Sequence, residues 1–100
     1  MAEVDTGLTD AEIKQILAVL HQNPKIRRIL LFGSRAKGSY QKGSDIDIAV
    51  SADGLGIGEL LQLKSELDDL MLPYKIDIVV YEDIQNLNLR DHIDRVGVQL

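Results

Sequence analysis

Ser44-Asp45-Ile46-Asp47-Ile48-Ala49-Val50 reads as a β-strand with two carboxylates on one face. A strand repeats every two residues, so Asp45 and Asp47 share one side while Ile46, Ile48 and Val50 share the other. Aspartate is depleted in strands, and two carboxylates on one face repel each other unless a cation sits between them. The pattern therefore points to a divalent metal, with a half-exposed strand carrying a solvated acidic face as the plainer alternative. Upstream, Gly33-Ser34-Arg35-Ala36-Lys37-Gly38 interrupts the apolar run Ile26–Phe32. A Gly-Ser turn between a strand and a short helical turn lets the backbone approach a phosphate and presents free N–H groups to it. Ser34 is placed to cap that helical turn.

The rest of the chain follows outward from this stretch. Residues 1–7 read as a loose leader to a single domain over 1–100. Thr9 followed by Glu12 is a capping box, and Ile13, Ile16, Leu17 and Leu20 follow helical spacing, so a first helix is expected from about 10 to 22. Asn23-Pro24 ends it. Strands are expected at 26–32, 45–51 and 75–81, with a polar loop over 38–43. Leu60, Leu63, Leu67, Leu70 and Met71 mark a helix over about 57–71, suited to a crossover between strands. From Glu82 onward the chain reads as helical, with Leu89, Ile93 and Val96 on one face. The fold class is α/β (α+β): a small mixed sheet of at least three strands flanked by helices.

Bulk properties narrow the function. The net charge is −5 and aromatic residues are 4%. Direct nucleic-acid binding is not expected of such a chain, since it needs clustered Lys and Arg and stacking platforms. The chain has no cysteine, which excludes disulfides and thiolate zinc sites. No apolar run approaches a membrane span and the first residues do not resemble a signal peptide, so a cytoplasmic protein is expected.

A third carboxylate, Asp77, interrupts the apolar strand Lys75-Ile76-Asp77-Ile78-Val79-Val80. It is either one solvent-facing residue of an edge strand or, if this strand lies beside the second, part of the same acidic face. Three carboxylates suffice to hold two Mg²⁺ ions with phosphate oxygens and water, an arrangement suited to in-line phosphoryl chemistry.

Taken together, Gly33-Ser34-Arg35-Ala36-Lys37-Gly38, the spacer, Gly43-Ser44-Asp45-Ile46-Asp47-Ile48 and the later Asp77 closely resemble the signature of the DNA polymerase β-like nucleotidyltransferase superfamily. Arg35, Ala36, Gly38 and Ser44 resemble its minimal nucleotidyltransferase (MNT) branch in particular. The resemblance implies a polymerase β-like fold and assigns roles. Asp45, Asp47 and Asp77 would be catalytic and metal-ligating, with Asp77 a proton acceptor for the attacking hydroxyl. Gly33, Ser34, Arg35 and Ser44 would bind the nucleotide. Arg35, Lys37 and Lys42 would counter triphosphate charge, Arg35 foremost, with a solvated basic loop as the alternative.

The resemblance also implies ATP as substrate, two Mg²⁺ ions and a partner. Members of the MNT branch pair with a HEPN-domain toxin and transfer AMP to its tyrosine, bind it, or both. A hetero-oligomer is therefore expected, with the acceptor supplied from outside. Leu87, Leu89, Ile93, Val96, Val98 and Leu100 would offer a docking face, or else cover the domain's own sheet. Two alternatives stay open: a non-catalytic antitoxin that masks the toxin, and transfer to a small molecule or RNA end. His92 reads as exposed in a charged helix. Tyr40 reads as an ordinary loop residue or one that stacks on a base.

Overall fold

The computed structural model describes residues 5–100, so the first four residues of the expected leader lie outside the described part. In α1 (Asp10–Leu20), the Thr9 hydroxyl accepts the Glu12 N–H at 3.1 Å and the Glu12 carboxylate accepts the Thr9 N–H at 2.9 Å. This is the reciprocal cap expected, worth about 1 kcal/mol. The helix buries Ile16, Val19 and Leu20. There follow β1 (Ile26–Phe32), α2 (Ser34–Lys37), β2 (Ile46–Ala52), α3 (Ile57–Asp68), β3 (Ile76–Val80), a 3₁₀ turn (Tyr81–Asp83), α4 (Leu87–Val96) and β4 (Val98–Gln99).

The strands form one mixed sheet in the order β3-β2-β1-β4. β1 runs antiparallel to β2 and β4, whereas β2 and β3 are parallel and joined through α3. A parallel pair needs such a crossover. One face of the sheet carries Ile29, Leu31, Ile46, Ile48, Val50 and Ile78, packed against Ile16 and Leu20 of α1 and Leu63 and Leu67 of α3. The other face is covered in its middle by Ile93 of α4, which closes on Phe32 and Ala49. Register then decides where the functional side chains fall. Phe32 pairs with Asp47, and Asp47 with Asp77, so both aspartates project at one end of the α4-covered face.

Four expectations need correction. The second long helix stops at Asp68 rather than 71. Asp69 caps it and Met71 adopts φ 58°, a left-handed turn that breaks the helix before Pro73. The helix from Glu82 starts instead at Leu87, because the Asn86 side chain accepts the N–H groups of Asn88 and Leu89 and sets a new cap. The chain does not stay helical to its end, and a fourth strand joins the expected minimum of three. Gly97 ends α4, and Val98 and Gln99 then pair with Leu31 and Leu30. Finally, residues 5–7 of the leader are held to the domain, with Thr6 buried and its carbonyl bonded to Arg35.

The C-terminal apolar residues mostly cover the domain itself. Ile93 is buried, Leu89 packs beside it, and Val98 and Leu100 pack on the main core, while Leu87 is exposed. Among the described residues, no helix is long and apolar enough to cross a membrane.

Candidate active site

β1 delivers the chain directly into Gly33, which caps α2 at φ 75° and ψ −155°. That conformation is open to glycine and strained for other residues. A Cβ at Gly33 would also collide with the Asp47 carboxylate on the neighbouring strand. Glycine thus does two things here: it permits the turn, and it lets the turn lie against Asp47. Ser34 does not cap the helix, contrary to expectation. The cap residue is Gly33, with no side-chain cap bond, and Ser34 is the first helical residue. Its hydroxyl is therefore not committed to capping.

Asp47 is half-buried and stands beside Asp77 in register. Asp45, expected as the first residue of the strand, lies just before β2, and its charge still reaches Asp47. Burial pushes the Asp47 carboxyl above its ordinary value, and the negative charges of Asp77 and Asp45 push it further, while His92 opposes them. Asp45 and Asp77 are exposed. Among the described residues, no three acidic or imidazole groups already converge on a metal-sized gap. The donor set still suits a hard divalent cation, because all three groups are carboxylates. Burial first, and then the charges of Asp77 and Asp45, disfavour the Asp47 carboxylate, a cost that a cation would offset.

Arg35 sits elsewhere than expected. It is 2% exposed. Its Nε and Nη2 donate to the Ser44 carbonyl at 3.1 and 2.9 Å, and Nη1 donates to the Thr6 carbonyl at 2.8 Å. Its guanidinium lies 5.1 Å from the Tyr40 ring centre and 4.6 Å from that of Tyr74. The cation therefore faces inward, onto backbone carbonyls and aromatic rings rather than a phosphate. Arg35 fixes the backbone immediately before Asp45. Ser44 is likewise engaged locally, its hydroxyl accepting the Gln41 N–H at 2.8 Å. Tyr40 donates its hydroxyl to Asp5 at 3.1 Å. Lys37 and Lys42 are exposed on the intervening loop.

His92 is the residue that the sequence reading missed. It is half-buried rather than exposed. Its Nε2 accepts the Gly33 N–H at 3.2 Å, and its ring meets Phe32 edge-on with centroids 6.1 Å apart. A usable signal was present: Leu89, His92, Ile93 and Val96 follow the spacing of one helix stripe, so His92 lies on the inward side.

Asp45 and Asp77 face solvent, with Asp47 half-buried between sheet and surface. Two hollows of about 300 and 270 Å³ occur elsewhere, the first beside Asn23, Lys25 and Glu59, the second beside Arg28, Ser51, Tyr81 and Asp94. Neither includes Gly33, Ser34 or the three aspartates. An open site of this kind admits an acceptor carried by another molecule.

Comparison with known proteins agrees with this geometry. The profile of the family described as Polymerase beta, Nucleotidyltransferase matches residues 14–100. A Methanocaldococcus jannaschii protein named "Putative protein adenylyltransferase MJ1217" is 32% identical over 91 residues, spanning 86% of this chain and 92% of the relative. Among solved structures, a chain of a toxin-antitoxin crystal structure with AMP-PNP superposes with a TM-score of 0.72 at 30% identity, covering 92% of this chain and 72% of that one. A chain from the tri-AMPylated Shewanella oneidensis HEPN toxin in complex with its MNT antitoxin gives a TM-score of 0.72 at 26% identity, covering 92% and 71%. The chain belongs to the polymerase beta family and is a nucleotidyltransferase.

Proposed function

We propose that this protein transfers AMP from ATP to a tyrosine hydroxyl of a partner HEPN toxin in a Mg²⁺-dependent reaction, and so acts as the antitoxin of the pair. The observation that carries this reading is the register Phe32–Asp47–Asp77, which sets two carboxylates beside the Gly33-Ser34 turn at one end of the sheet. The resemblance to chains from a toxin-antitoxin structure with AMP-PNP and from an AMPylated HEPN toxin complex supports the substrate and the partner.

Gly33 and Ser34 hold the β- and γ-phosphates, the first by the close approach that its missing side chain permits, since its N–H is bonded to His92, and the second through its hydroxyl. Asp45, Asp47 and Asp77 would hold Mg²⁺, which supplies charge neutralisation of the triphosphate and of departing pyrophosphate. Asp77, exposed at the strand end, takes the proton of the incoming tyrosine hydroxyl. The tyrosine oxygen bonds to the α-phosphorus as the bond from that phosphorus to the bridging oxygen breaks, and pyrophosphate leaves with its electron pair. Arg35 positions Asp45 through Ser44, and the loop lysines Lys37 and Lys42 add positive charge near the phosphates.

The test is a labelling experiment with purified protein, its HEPN partner, Mg²⁺ and ATP labelled at the α-phosphate. The label is expected on a partner tyrosine, and the variant carrying both Asp45→Asn and Asp47→Asn is expected to leave the partner unlabelled. Full neutralisation of the toxin by that variant would refute catalysis as the means of neutralisation and assign it to binding.

A further inference from the structure

The geometry points to His92 as a positioning residue for nucleotide binding: it holds the Gly33 turn in the conformation that a triphosphate meets. This inference rests on the nucleotidyl-transfer reading and deepens it. Three observations converge on His92. Its Nε2 accepts the Gly33 N–H at 3.2 Å, its ring packs edge-on against Phe32, and Ile93 beside it is buried between Phe32 and Ala49. The Gly33 N–H can only donate, so Nε2 is the acceptor in this bond.

The turn needs such an anchor. Gly33 takes a backbone conformation that does not secure itself, and its Cα lies against the Asp47 carboxylate. Movement of this residue would change the distance between the phosphate turn and the carboxylates at once. β1 restrains the turn from one side and α2 from the other. His92 is the contact that ties it to α4, which is itself seated by Ile93 on the sheet. With the Gly33 N–H taken by the imidazole, the N–H groups at the start of α2 and the Ser34 hydroxyl remain for phosphate oxygens. His92 touches neither nucleotide nor acceptor in this arrangement and acts through the turn.

The experiment compares the full-length wild type, His92→Ala and His92→Gln. Glutamine places an acceptor oxygen near the position of Nε2. Binding of AMP-PNP with Mg²⁺ is followed by calorimetry, and the Gly33 amide by NMR. His92→Ala is expected to weaken binding roughly three- to tenfold, the loss of one hydrogen bond, and to shift the Gly33 amide proton upfield. His92→Gln is expected to restore both. In turnover assays the alanine variant should raise KM for ATP more than it lowers kcat. Unchanged AMP-PNP affinity in a folded His92→Ala protein overturns the inference while leaving the nucleotidyl-transfer reading intact. Failure of the wild type to bind AMP-PNP overturns both, so the two failures are told apart by the wild-type titration alone.

Discussion

Replacing Asp47 by Asn is expected to stabilise the metal-free protein while destroying the proposed transfer. The side chain keeps its shape and loses its charge. In the native fold that charge is half-buried, opposite Asp77 on β3 and two residues from Asp45. Like charges directly opposite on neighbouring strands destabilise by roughly 0.2–1 kcal/mol, and Asp77 is exposed, so solvent screening holds the gain to that range. For a domain of this size that corresponds to a rise of about 1–6 °C in Tm. The sign also shows in the pH dependence. Burial and the two neighbouring carboxylates raise the folded pKa of Asp47 above its ordinary value, so the native state holds this proton more tightly than the unfolded chain does. Stability linked to Asp47 is therefore greatest at acid pH and falls as pH rises through the raised folded value. The Asn variant lacks that loss.

The assay is thermal unfolding by circular dichroism in chelator and low salt, repeated with Mg²⁺. At a Mg²⁺ concentration ten times its Kd, the wild type should gain about 1.4 kcal/mol, and the variant much less. The two proteins should thus exchange rank when the metal is added. A lower Tm for Asp47→Asn in chelator would refute the claim that the carboxylates repel one another. An equal Mg²⁺ response in both proteins would refute Asp47 as a ligand.

Three further outcomes are expected. Gly33→Ala should lower stability by about 1–3 kcal/mol from backbone strain, with the collision at Asp47 adding to it, read as a reduced midpoint in urea unfolding. Arg35→Ala should cost about 1–3 kcal/mol for each carbonyl left without its donor, those of Thr6 and Ser44, and Arg35→Lys should recover little since lysine lacks the planar fork; chemical denaturation measures both. Glu59 is lowered to about 2 by hydrogen bonds from Lys25 and Asn23. Its contribution is therefore present above the usual carboxylate value of 4.5 and is lost as pH falls toward 2, so Glu59→Gln should flatten that part of the acid unfolding curve.

Period-two alternation made the aspartate-bearing strands legible. Ile46, Ile48 and Val50 are fully buried and Asp47 faces away from them, as the spacing of Ser44–Val50 requires. Asp77 joined them because the crossover through α3 makes β3 a parallel neighbour of β2 in matching register, and register is a property of the sheet that a single strand's sequence does not carry. Arg35 was misplaced for a related reason. A cation beside a Gly-Ser turn reads as a phosphate ligand, but its neighbours in space are Tyr74 and the Thr6 carbonyl, both remote in sequence. His92 was misread because its polarity outweighed its position on the apolar stripe of α4. β4 escaped notice because two residues are too few to show a period, and Leu89, Ile93, Val96 and Leu100 prolong the helical pattern on paper.

Several costly features of this chain lie together at one end of the sheet. Gly33 adopts a backbone that other residues resist, Asp47 and Asp77 crowd negative charge, and Arg35 buries a cation beneath the loop that leads to Asp45. Elsewhere the structure conforms to simple rules: a reciprocal cap on α1, an aliphatic core between sheet and helices, and a crossover helix between parallel strands. Packing alone explains the second set and gives no reason for the first. Neutral residues at 47 and 77 would relieve the repulsion and make a more stable domain. That these liabilities meet beside one turn, on a surface open to solvent, is accounted for by a bound polyanion and cation that offset the charge, with the acceptor arriving from another molecule. The stability order of wild type and Asp47→Asn with and without Mg²⁺ therefore tests the functional reading as well as the electrostatics, because structural packing alone predicts no exchange of rank.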